Sequence, residues 1–93
     1  MTEKVLFQIN YVRLIAGHDG ILYLEVDDME LWDFIQDYLW DNFQITESEV
    51  GYPIGGKHVH RSYYPSDVDS DTLAKALAGL DVNEVERIYR LNN

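Results

Sequence analysis

The stretch "KVLFQINYVRLIAGHDGILYLEVD", residues 4–27, decides which kind of fold this chain can take. Val5, Phe7, Ile9 and Tyr11 recur at every second position, the period that sends side chains to one face of a β-strand. Residues 4–15 therefore read as one strand with a single apolar face. "AGHDG" (16–20) is a turn cluster, with glycine at 17 and 20. "ILYLEVD" (21–27) alternates Leu22, Leu24 and Val26 with Tyr23, Glu25 and Asp27. Together the two segments predict a β-hairpin closed by a short glycine-containing loop.

Downstream of the hairpin, Asp27 or Asp28 stands where a helix N-cap is needed, ahead of "MELWDFIQDYLWDNF" (29–43). Residues 44–50 have the composition of a short strand, and 51–57 of a loop. "HVHRSYY" (58–64) reads as another strand, ended by Pro65. "SDVDSD" (66–71) is rich in capping residues and leads into a second helix, 72–78, closed by Gly79. Residues 82–91 suit either state. Asp81 and Glu84 have capping-box spacing, whereas "VERIYRL" has the β-branched and aromatic content of a strand. The expected fold is α+β: one domain over residues 1–93, a mainly antiparallel sheet opened by a hairpin, one long acidic amphipathic helix packed on it, and a shorter C-terminal helix.

The chain has 93 residues, 46% of them apolar, and no cysteine. A single core without disulfides or thiolate metal sites follows, compatible with a reducing compartment. No apolar run reaches the roughly 18 residues that span a bilayer, and the first residues carry no signal-peptide pattern. A soluble cytoplasmic protein with no membrane partner is expected.

Several motifs nearly match known chemistry. "GYPIGGKH" (51–58) approaches a phosphate-binding loop. His58 stands where the Mg²⁺-holding hydroxyl belongs, and a strand rather than a helix is expected to follow, so no nucleotide cofactor is expected. His58 and His60 share a strand face but lack a third ligand, so no metal is expected. "DVDSD" (67–71) opens like a calcium loop, but Thr72 and Ala78 occupy the positions that need Gly and Glu. "TLAKALAGLDVNEVERIYRL" (72–91) resembles a helix-turn-helix in cadence; its second segment sets Glu84 and Glu86 beside Arg87 and Arg90, so direct nucleic-acid binding is not expected. "SYYPSDVDSD" (62–71) resembles the Tyr-Tyr-Pro acidic stretch of colicin nuclease immunity proteins. Those are all-helical, whereas this chain opens with strands, so none of their site residues is transferred. No nucleophile–base arrangement emerges, and no catalytic residue is assigned.

Charge is the informative feature. Acids outnumber Lys and Arg by 17 to 7, a formal net charge of −10. From residue 14 to residue 56 there is no Lys or Arg, yet the same run holds ten acids. On a helical wheel Glu30, Asp33, Asp37 and Asp41 form one narrow ridge, rising about 6 Å per four-residue step. Phe34 and Trp40 flank it. Like charges at this spacing cost a helix about 0.2–0.5 kcal/mol per pair, and Asp41 faces the negative end of the helix dipole. A solubilising face would normally mix signs, so the ridge reads either as an acidic solvent face with nothing bound or as a docking surface for a basic partner. On the second reading, the six residues Glu30, Asp33, Phe34, Asp37, Trp40 and Asp41 are the candidate partner-binding set.

The expected function is that of an acidic, non-enzymatic inhibitor or immunity-type module, in the manner of a nucleic-acid mimic or an anti-CRISPR protein. It would occupy the basic surface of a nuclease, toxin or phage-defence complex. The alternative is a structural or regulatory interaction module, such as a homodimer. A small metal-dependent or nucleotide-handling enzyme is the third reading.

Overall fold

In a computed structural model, which describes residues 3–51 and 59–93, the chain runs β1 (Lys4–Ile9), β2 (Val12–Ala16), β3 (Leu22–Val26), α1 (Met29–Phe43), β4 (Glu49–Gly51), β5 (His60–Tyr63), α2 (Ser70–Ala78) and α3 (Val82–Asn92). The strands form one sheet in the order β1-β2-β3-β5-β4, and every pairing is antiparallel. This is the expected α+β domain, with a long helix on an antiparallel sheet.

The expected hairpin is β2–β3, closed by Ala16 opposite Leu22. Gly20 takes the positive φ of 82° in its loop, a conformation open to glycine at little cost. The single strand expected over 4–15 is two strands. Ile9 pairs with Val12, leaving Asn10 and Tyr11 as a tight turn. Tyr11 has φ 70°, unfavourable for a residue with a Cβ. Its ring stacks on Tyr89 at 3.6 Å, its hydroxyl donates to Glu86, and its carbonyl accepts from the Asp27 N–H. Apolar alternation runs through Tyr11 without a break, so periodicity alone conceals this turn. The register also shifts between Val5 and Phe7. This bulge sends Val5 to the outer face, 53% exposed, while Phe7 packs on the core.

One face of the sheet is the core. Val12, Leu14, Leu22, Leu24 and Val26 pack against Leu31, Ile35 and Leu39 of α1, Leu73 and Leu77 of α2, and Val85 of α3. The other face carries Arg13, Tyr23, Glu25, Arg61 and Tyr63, whose registers place them side by side.

Residues 82–91, compatible with either state, are helical, and Asp81 caps them by accepting from the Asn83 and Glu84 N–H groups. Glu84 does not complete the capping box; its carboxylate pairs with Arg87 instead. α2 begins two residues earlier than the sequence suggests because its N-cap is Asp69, which accepts from the Thr72 N–H. At its far end, a Cβ on Gly79 would lie 2.8 Å from the Tyr38 hydroxyl, which donates to the Ala76 carbonyl. Glycine therefore lets α2 end against α1. Among the described residues, no helix is long and apolar enough to cross a membrane.

Candidate functional site

α1 starts at Asp28, whose carboxylate accepts from the Leu31 N–H at 3.0 Å. It ends at Gln44, which takes φ 54°. Between these caps lie a buried face, two flanks and an outward face. Leu31, Ile35 and Leu39 are buried. On one flank, Phe34 and Tyr38 pack against the core, and Tyr38 ties to α2. On the other, Trp32 and Gln36 reach over β5.

That second flank fixes the helix's rotation about its axis. Ser62 is fully buried on the core face of β5. Its hydroxyl accepts from the Trp32 indole N–H at 2.6 Å and from the Gln36 amide at 3.1 Å. The Gln36 side-chain oxygen accepts from the Tyr64 hydroxyl at 3.4 Å. Burial pushes the Tyr64 phenol up to about 12. An unmet polar group here would cost roughly 1–3 kcal/mol, so α1 is held in the one rotation that meets them all. The wide apolar arc of the sequence is thus divided between core, α2 and β5.

With the rotation set, Glu30, Asp33, Asp37 and Asp41 all point outward and are exposed. The two flanking aromatics differ. Trp40 is 54% exposed, while Phe34 is half-buried against the core. Sequence reading missed Met29, 57% exposed, which shares the Trp40 side of the helix, about 20° away on the wheel. Only the tertiary fold reveals that this side overhangs without being covered by the described residues.

The four arginines are committed elsewhere. Arg13 bonds Asp27 at 2.8 Å and Glu25 at 3.4 Å, Arg61 bonds Glu25 at 2.5 Å, and Arg87 and Arg90 pair with Glu84 and Glu86 within α3. Arg61 also lies 4.2 Å over the Tyr23 ring. Two acids of the base-free run, Glu25 and Asp27, therefore find cations across the sheet. None of the ion pairs among the described residues reaches the ridge. The last turn of α1 holds no basic residue.

The other motifs bring little together. Asp69 is a helix cap. The arginines of α3 are balanced by its own glutamates, so this helix offers no net positive charge to phosphates. The nucleotide-loop expectation and His58 of the paired-histidine expectation lie outside the described residues, apart from Gly51. No group of three or more His, Cys, Asp or Glu side chains in ligating reach occurs among the described residues. Comparison with protein-family models, curated proteins and solved structures yields no match to this chain.

Proposed function

We propose that this protein is an acidic docking module whose α1 ridge occupies a basic surface of a nucleic-acid-handling protein in the cytoplasm, inhibiting it by covering the groove its substrate would use. The carrying observation is the outward ridge of Glu30, Asp33, Asp37 and Asp41, which has no cation among the described residues while every arginine is paired. Desolvating like charges is favourable only against a surface of opposite sign. Trp40 and Met29 supply apolar contact beside the ridge, the usual companion of charge at an interface centre. Self-association through this face would set one ridge near another of the same sign, which argues for a basic partner over a homodimer. The reading involves neither catalysis nor a cofactor.

The test is binding kinetics against a partner captured from the native host. Asp33→Lys and Asp37→Lys should each slow association and weaken affinity by about 1 kcal/mol or more. Trp40→Ala should act mainly on the dissociation rate. Nucleic acid should compete, and added salt should weaken binding. Affinity indifferent to salt and to all three substitutions would sink the reading; a concentration-dependent dimer lost in Trp40→Ala would favour the self-association alternative.

A further inference from the structure

We propose that Tyr11 and Tyr89 are a modification site, at which a one-electron oxidant joins the two rings as an intramolecular dityrosine and staples α3 to the β1–β2 turn. The rings lie face to face, with centroids 3.6 Å apart and planes 5° from parallel. That is contact distance for aromatic carbons, so a small tilt of one ring starts their approach. Two neutral rings prefer an offset or edge-on contact; a face-to-face pair instead stabilises a single positive charge shared between them. Both side chains are half-buried rather than sealed in the core, within reach of an oxidant in solution. The Tyr11 hydroxyl donates to the Glu86 carboxylate at 3.1 Å. Losing an electron makes a phenol a strong acid, and here its proton has an acceptor in place. Glu86 also accepts from the Asn10 amide and pairs with Arg90 at 3.3 Å. The Asn10 bond foremost, then Tyr11 and Arg90, hold its carboxyl below the usual range, so it is ionised at neutral pH.

The contact between Tyr23 and Tyr63 is the internal comparison. Its centroids are 5.9 Å apart and its planes 52° from parallel, and the Arg61 guanidinium sits 4.2 Å over the Tyr23 ring. A cation on the ring face opposes the positive charge that oxidation creates. Tyr23 also has a carboxylate partner, Glu3 at 2.6 Å, so the two pairs differ in ring geometry and in the cation rather than in having a proton acceptor. The reaction balances as follows. Each ring gives one electron to the oxidant and loses its phenolic proton, Tyr11 to Glu86 and Tyr89 to solvent. The two phenoxyl radicals couple through carbons ortho to oxygen, their unpaired electrons forming one C–C bond. The ortho hydrogens then leave as protons while each oxygen regains one, restoring two phenols. The net loss is two electrons and two protons, taken by two equivalents of oxidant such as the oxidised haem of a peroxidase. The link joins opposite ends of the chain, a long loop whose closure restricts the unfolded state. It is independent of the function proposed for α1.

The experiment is photo-oxidation of the intact protein with ruthenium tris-bipyridyl and persulfate, followed by tryptic mass spectrometry. The expected main product is monomeric, with residues 5–13 joined to residues 88–90 through Tyr11 and Tyr89 and a mass lower by two hydrogens. Tyr89→Phe should abolish it, and Tyr63→Phe should leave its yield unchanged. Glu86→Gln keeps an acceptor oxygen but is a far weaker base. It should slow formation about tenfold, less than an enclosed base provides because solvent competes for the proton. The linked protein should melt at a higher temperature than the unlinked one, and circular dichroism before oxidation checks the fold of each variant. A dominant Tyr23–Tyr63 link, a product that is only intermolecular, or a rate indifferent to Glu86→Gln would each overturn the proposal.

Discussion

Ser62 is a small residue with a large structural effect, because two donors on α1 converge on one buried hydroxyl. Ser62→Ala leaves the Trp32 indole without its acceptor and should cost about 1–3 kcal/mol, read as a lower urea midpoint with an unchanged slope. The same interior yields a pH prediction. Burial pushes the Tyr64 phenol to about 12, and burial plus the bond from Tyr23 to Glu3 does the same for Tyr23. Both folded values lie above the unfolded value of about 10. Their stabilisation is therefore complete below about pH 10 and lost as pH rises through about 12. Phenolate absorbance should show Tyr23 and Tyr64 titrating late, with Tyr11 also raised by burial and its bond to Glu86, and Tyr64→Phe should remove one late step. Neither residue was singled out in the sequence, since one serine or tyrosine in a strand looks like another until its neighbours are known.

The elements differ in how well their sequences announce them. α1 was legible because a capping aspartate at 27 or 28, a wide apolar arc and the acidic wedge all agree. The β1–β2 turn was not. It lacks the usual glycine or asparagine at its left-handed position, and it is held by Tyr89 and Glu86, some 75 residues away. Local pattern carries no trace of contacts so distant. α3 was readable either way until Val85 was seen buried against the other helices. For the candidate site, the ridge acids were legible from spacing alone, whereas the contrast between exposed Trp40 and half-buried Phe34 needed the helix's rotation. The ridge also leaves a testable debit on its own helix. Asp41→Lys should stabilise α1 by about 0.5–1 kcal/mol, by ending the repulsion from Asp37 and reversing an unfavourable charge at the C-terminal end. Thermal melting at low salt measures it. Unchanged or lowered stability would mean that Asp41 is balanced by a group the ion-pair geometry does not reveal.

Across the whole molecule, a formal charge of −10 on 93 residues makes compactness costly at low ionic strength. Raising salt from about 0.01 M to 0.15 M shrinks the screening length from about 30 Å to 8 Å, and the melting temperature should rise with it. Asp33→Asn with Asp37→Asn should flatten that dependence. Asp27→Asn should not flatten it, since it unbalances Arg13. A salt effect equal in all three proteins would show that the ridge does not dominate the repulsion. The sequence displayed this surplus as a long base-free run, but not that Glu25 and Asp27 are neutralised by strands on either side of them.

Arg13 and Arg61 lie on the sheet face turned away from the helices, and there they balance Glu25 and Asp27. The unbalanced carboxylates of α1 lie on the opposite side. Among the described residues these pairs leave the outer sheet face balanced and the α1 ridge negative, so the molecule presents an uneven charge as well as a net negative one. In the field of any cationic surface it experiences a torque as well as a pull. That torque turns α1 toward the surface before contact, so the orientation of approach is selected during diffusion, over the last Debye length.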